Sequence, residues 1–294
     1  MLEKGKIVNK TDSNPPNYLY KYQSFNDEYA LKNFIEHQFY FSNPIKFNDP
    51  FDFNSNFIII DRTEGNLKVA FDIIRKGMQD QLVNKFNADK FDNIFLTNRR
   101  PNRNFEDFLT NKGNEGIQNK SYGRMGVICF SECNENILMW SHYSQSHKGF
   151  CLEFDTRYVP FHPSYIPFEM TLIKVDYTES YPSLSLSEIN KNEGYFHPIK
   201  PLAKTKWKDW SYEKEWRLLS WNGSCLYTYD LSSLSAIYLG YKILPDDELR
   251  IRTIIAGFPA RKDGSERSIY KMQRSETEFK VIPKKLNSNR LDSL

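Results

Sequence analysis

The stretches of this 294-residue chain that read as strands are short, four to six residues each. They are scattered among helical stretches with no regular strand–helix alternation. Tyr18–Tyr22, Phe39–Ser42, Gly126–Ser131, Gly149–Phe154, Ile173–Tyr177 and Ala236–Gly240 are apolar or alternating runs bounded by Asn, Gly, Pro or Ser, as half-buried or buried strands require. A regular alternation would predict a parallel α/β sheet; an irregular mixture predicts α+β. The strongest apolar run, Phe57–Ile60, falls far below the roughly 18 residues of a membrane-spanning helix.

Helical spacing appears over Asn26–Gln38, with Asn26 or Asp27 placed to cap it, over Asn136–Ser144, and over Asp246–Ala256 behind Pro245. From about 62 to 118 a stripe through Leu67, Ala70, Ile73, Ile74, Met78 and Leu82 predicts an inserted helical subdomain. The expected organisation is one α+β domain over 18–274 on a mixed or antiparallel sheet, with a flexible leader, 1–17, and a flexible tail, 275–294. Forty basic against thirty-seven acidic residues leave +3, weak support for a nucleic-acid partner. Four cysteines in mostly apolar contexts, with no signal-peptide core after Met1, predict reduced thiols, a cytoplasmic location and no membrane partner.

Several chemistries lack their motifs. No Gly-x-Ser-x-Gly elbow, Gly-x-x-x-x-Gly-Lys loop or Gly-x-Gly-x-x-Gly turn is present, which removes the usual nucleophile and phosphate-cradle signatures. Cys129, Cys133, His142 and His147 would be acceptable zinc ligands. Cys129 lies inside an apolar strand, however, and buried free thiols are the simpler reading, so no metal is expected. Asn98–Arg103 is a basic turn, more simply solvated than a phosphate site. The loop Asn48-Asp49-Pro50-Phe51-Asp52 reads as a turn or as a grip for a ribose or amide. Trp140 reads as core, while His142 and Tyr143 could face a pocket near Cys129-Phe130-Ser131-Glu132.

The densest cluster of chemistry-bearing residues is Trp207–Leu219. Read as a strand, it puts Glu213, Glu215 and Arg217 on one face, opposite Tyr212, Lys214 and Trp216. Such a face is costly to bury, and the tryptophans argue against simple exposure. Two glutamates on one face can stabilise a developing cation and deprotonate a hydroxyl, which suits glycosidic chemistry at an anomeric carbon. Solvated carboxylates paired with Arg217 are the plain alternative.

The blocks Tyr20-Lys21-Tyr22, Tyr40-Phe41-Ser42, Phe47–Asp52, Cys129–Glu132, Met139–Tyr143, Lys148–Phe154 and Tyr212–Arg217 occur in an order that resembles a widespread bacterial family, domain of unknown function 2971. That family is similar to the AbiGi-type abortive phage-resistance proteins. More distantly, the order resembles the ADP-ribosyltransferases, especially their DNA-modifying toxin branch. That resemblance implies a split sheet and NAD as substrate. It makes Glu215 the catalytic glutamate and Glu213 its accessory partner. It gives Tyr20 or Tyr22 the first NAD-holding position and Tyr40 and Ser42 the second, with Asn48, Asp49, Ser131, His142, Tyr143 and Arg217 around the dinucleotide. Tyr-Lys-Tyr stands where many such enzymes carry His or Arg. The implied partners are NAD, a nucleic-acid or protein acceptor, and a cognate antitoxin or defence protein. Two other functions fit the residues: a non-catalytic nucleic-acid-binding or sensor module that stacks bases on its aromatics, and a nuclease holding Mg²⁺ on Asp49, Asp52, Glu213 and Glu215.

Overall fold

Eight of the short strands assemble into one mixed sheet. The structure is a computed structural model that describes residues 14–53, 59–60, 63–81, 86–116, 124–158, 160–161, 170–184 and 200–286. The sheet strands are β1 (Tyr18–Gln23), β2 (Gly126–Ser131), β3 (Phe150–Asp155), β4 (Met170–Lys174), β5 (Glu215–Ser220), β6 (Leu234–Leu239), β7 (Ser268–Arg274) and β8 (Val281–Lys285). Their order is β8-β7-β6-β3-β1-β2-β5-β4. Among the described residues of this sheet only β6 and β7 run parallel, and a helix, α6 (Pro245–Ala256), makes the crossover such a pair requires. The fold is therefore α+β, with Asp27 capping α1 (Glu28–Ile35).

Contacts divide the chain into two compact units. The first comprises Met1–Asn43, Met125–Tyr177 and Lys208–Leu294; the second, Pro44–Arg124 and Thr178–Trp207.

In the first unit the sheet buries both faces. One face presents Leu19, Phe130, Leu152, Phe154, Trp216 and Leu218 to a core that also takes Phe34 of α1 and Ile251 and Ile255 of α6. The other face meets the short helix α5 (Ile137–Tyr143) through Tyr22, Cys151 and Tyr238, packed with Met139 and Trp140. The sheet is loosely joined at its middle. β1 pairs β3 along six residues but β2 only at Tyr20↔Ser131. At the other end of β2, Val127 bonds instead to Ser42, each backbone N–H donating to the other's carbonyl.

The second unit is built around phenylalanines. Helices α2 (Glu64–Gln81), α3 (Ala88–Phe95) and α4 (Arg103–Gly116) pack Leu67, Phe71, Phe91, Phe105 and Leu109 together. A bidentate Arg75–Asp92 pair ties α2 to α3. The 62–118 stretch thus contains three helices, and Ile73 of the expected stripe is exposed; Leu82 lies outside the described residues. The basic turn is a tight hairpin of Leu96–Thr97 with Arg100–Pro101. Asn98 and Arg99 turn it at φ 53° and 62°, and Pro101 cannot continue a helix.

Two other local expectations change. The Ile173–Tyr177 strand breaks at Val175, whose N–H goes to the carbonyl of Glu215. Composition points to a fraying tail from 275, yet β8 pairs with β7 over five positions. An edge strand needs only one ladder of partners and tolerates Lys and Pro, so its sequence lacks the apolar signature of inner strands.

Candidate functional site

The Trp207–Leu219 run is not one strand. Lys208–Glu213 forms a 3₁₀ turn, Lys214 sits at φ 46°, and β5 starts at Glu215. Glu215 and Arg217 therefore share a face, while Trp216 and Leu218 enter the core behind it. Glu213 reaches the neighbourhood from the turn instead of along the strand, because the left-handed residue between the two glutamates breaks the alternation. Arg217 donates to Glu215 from Nε and Nη2, at 2.8 and 2.9 Å. Both are buried, with Arg217 0% and Glu215 3% exposed. A bidentate pair so deeply buried fixes orientation, and removing either charge takes a buried ion-pair partner from the other. The backbone N–H of Glu215 also donates to the hydroxyl of Tyr177 at 2.8 Å.

The register places further polar residues beside this pair. Glu215 pairs with Ser131, Ser131 with Tyr20, and Tyr20 with Glu153, across β5, β2, β1 and β3. Tyr20 and Glu215 are thus two strand spacings apart, roughly 10 Å. Glu153 is buried within β3. It accepts hydrogen bonds from Ser235 and Tyr238, both at 2.6 Å. A register shift between Leu234 and Ala236 puts one extra residue, Ser235, opposite Glu153, and this bulge aims its hydroxyl at the carboxylate. Burial, reinforced by Glu153, drives the phenols of Tyr20 and Tyr238 far above their usual range, so both remain protonated donors.

Helix α5 brings the remaining groups to this face. Asn136 caps it, its Oδ1 accepting from the N–H groups of Leu138 and Met139, while its Nδ2 donates to the carbonyl of Tyr212. Two turns on, the Tyr143 hydroxyl donates to Glu213 Oε1 at 2.5 Å. The Ser131 hydroxyl donates to the Glu213 carbonyl at 2.6 Å and accepts from Cys133 N. His142 is exposed, its ring beside those of Tyr143 and Tyr212 at 6.3 and 6.4 Å. Next to this cluster, Glu132 takes hydrogen bonds from Lys174 and from the Trp216 indole, both at 2.7 Å. Burial opposes its charge, but these two donors outweigh it and hold the carboxyl below its usual range.

The structure therefore gathers Tyr20, Ser131, Tyr143, Glu213, Glu215 and Arg217, with His142 at the margin. Tyr22 is beside them but committed to the interior: its hydroxyl donates to the Cys133 carbonyl, and its ring packs edge-on against Trp140. Tyr40 and Ser42 are not at the Glu215 end. Tyr40 is in a separate ribbon of Gln38–Phe41 with Cys225–Thr228. Ser42 pairs with Val127, four residues along β2 from Ser131, roughly 13 Å at strand rise. Asn48 and Asp49 belong to the second unit, where Asp49 Oδ1 accepts from Phe51 N as a turn residue does. Among the described residues no three His, Cys, Asp or Glu side chains group to hold a metal. Sequence reasoning missed Glu153, Ser235, Tyr238 and Glu132. A carboxylate in the otherwise apolar run Phe150–Phe154 was the one available signal.

Residues 139–218, from α5 into β5, match the model of a family described as a protein of unknown function (DUF2971). No curated protein and no solved structure matches the chain. The matched segment begins at Met139 and ends at Leu218, so it contains Tyr143, Glu213, Glu215 and Arg217.

Proposed function

We propose that the chain is an NAD-consuming effector of a phage-defence or toxin system, an ADP-ribosyltransferase-like enzyme that transfers to a macromolecular acceptor or to water. The observation that carries this reading is the alignment of Tyr20, Ser131 and Glu215 across three adjacent strands beside the Tyr143–Glu213 contact. It sets an aromatic face and two fixed carboxylates within the span of one small-molecule site. In this chemistry the bond from ribose C1′ to nicotinamide nitrogen breaks, and its electron pair leaves with nicotinamide. The ribosyl cation is stabilised by the Glu215 carboxylate, which Arg217 holds in orientation through two hydrogen bonds. An acceptor hydroxyl or water then attacks C1′ and passes its proton to Glu213, which Tyr143 positions.

The Glu215–Arg217 pair alters how this is tested. Glu215→Gln should lower the rate by about a hundredfold. It also removes a buried ion-pair partner of the Arg217 guanidinium, so a stability cost of about 3 kcal/mol accompanies it. Glu213→Gln and Tyr143→Phe leave that pair intact and are the cleaner probes. Purified protein incubated with NAD, with and without Mg²⁺, should release nicotinamide in both conditions. Glu213→Gln and Tyr143→Phe should depress transfer to acceptor more than release, with a smaller loss of melting temperature than Glu215→Gln. Wild-type protein that releases no nicotinamide would sink the reading; nucleic-acid cutting only with Mg²⁺ would replace it with a metal nuclease. The complete burial of Glu215 with Arg217 favours a second reading, a non-catalytic binding or sensor module in which the pair is structural. Under it, the Glu213 and Tyr143 substitutions change phage protection no more than surface substitutions do.

A further inference from the structure

A cavity of about 590 Å³ opens on the other side of α5, within the usual size range of small-molecule sites. Ser141 lines it, and Tyr143 does not; two residues apart, they project about 200° from each other around the helix. Its walls are α5, the turn carrying His147, Tyr241 with Lys242, and the hairpin joining β7 to β8.

The turn beneath it is built at a cost. Gln145, Ser146 and His147 all take positive φ, at 48°, 52° and 69°, conformations that disfavour any side chain with a Cβ. Backbone bonds from Ser146 N to Ser141 O and from His147 N to Trp140 O hold it. Gly240 packs so closely under the His147 carbonyl that a Cβ there would collide with it. The strained turn stacks the imidazole on Trp140 at 13° and sets Nε2 3.2 Å from the Ser141 hydroxyl. His147 Nδ1 and Gln145 Oε1 are buried without a hydrogen-bond partner, a state that ordinary turns avoid.

The lining is mostly apolar, yet it carries cations. Lys242 and Arg274 have no carboxylate partner among the described residues, whereas Lys280 is paired with Glu278 at 2.5 Å. Glu276 is the remaining acid of the wall. At the rim Phe279 is 99% exposed, with Leu138 and Tyr241 also open to solvent. An apolar surface beside two cations that no carboxylate pairs among the described residues, with Glu276 leaving the wall one net positive charge, and a hydroxyl–imidazole pair is complementary to a molecule that is apolar with one negative end.

We infer that this cavity is a second ligand site, for a small molecule with an aromatic or aliphatic body and a single anionic head. The body would lie against Leu138, Tyr241 and Phe279, and the head against Lys242, Arg274 and Ser141.

The test uses the full chain and two fluorescent probes, 1-anilinonaphthalene-8-sulfonate and N-phenyl-1-naphthylamine, which share their rings but not the sulfonate. The sulfonate should bind saturably, one per chain, at least about tenfold tighter than the neutral probe. Lys242→Glu with Arg274→Glu should abolish that preference and leave the neutral probe's affinity unchanged. Phe279→Ser should weaken both. These side chains are exposed, and the milder Lys242→Gln with Arg274→Gln serves if the charge reversal lowers the melting temperature. Equal affinity for the two probes, unsaturable binding, or indifference to the charge substitutions overturns the inference. Neither probe contains a ribose, so the result is independent of whether the protein consumes NAD.

Discussion

Single residues in this protein carry charges deeper than their positions along the chain suggest. Lys21 lies on the apolar face of β1, its ammonium 5.9 Å from the centroid of the Phe130 ring. No carboxylate pairs with it among the described residues. Burial lowers its pKa, and nearby Cys129 and Asp27 only partly oppose that shift. A lysine whose folded pKa is depressed costs stability wherever the unfolded chain holds the proton more tightly. The cost is full below the depressed folded pKa and disappears as pH rises toward the unfolded value near 10.4. Lys21→Met should therefore raise stability in urea at pH 7 by about 1 kcal/mol or more, with the gain shrinking toward pH 10. A destabilised Met variant would show that the cation–ring contact outweighs desolvation. Residue types were legible where several polar and aromatic side chains cluster, as in Tyr212–Arg217. Glu153 was not: β3 is buried on both faces, so it reads as an apolar run with no alternation to mark one side chain as functional.

At the scale of elements, the short helix α5 links the candidate site to the second cavity. Its seven residues are too few to be stable alone. What holds it is the Asn136 cap, the buried Met139 and Trp140, and the bond from Trp140 Nε1 to the Asn134 carbonyl at 2.7 Å. Asn136→Ala should cost about 1 kcal/mol or slightly more in urea unfolding, because the side chain also ties α5 to the Tyr212 carbonyl. The same variant should loosen Tyr143 from Glu213; a drop in stability with no change at Tyr143, followed by its ring resonances in NMR spectra, would separate the cap from the site. Asn26 or Asp27, Asn136 and Pro245 marked such helix starts in the sequence, since capping is a local interaction. Lys214 was not marked. Its left-handed conformation is imposed by what the turn and β5 each must pack against, and no lysine announces that in its own sequence context.

For the molecule as a whole, two cores imply two thresholds of stability. Phe105, fully buried among Phe71, Phe95 and Phe108, anchors the second unit. Phe105→Ala should cost that unit about 3–5 kcal/mol. Hydrogen exchange should then accelerate in α2–α4 while β3 and β6 keep their protection; uniform acceleration would mean that the chain unfolds as one. The sequence by itself determined the strands β1, β2, β3 and β6, helices α1, α5 and α6 to within a few residues, and the α+β class. Each of these rests on periodicity, capping and turn chemistry, which act over a few neighbours. Only the tertiary structure decided that Tyr20, Ser131 and Glu215 align, that the Glu215–Arg217 pair is buried, and that Tyr40 and Ser42 belong elsewhere. Those outcomes depend on strand order and register, set by burial summed over residues far apart in sequence, as Tyr20 is from Ser131 and Ser131 from Glu215.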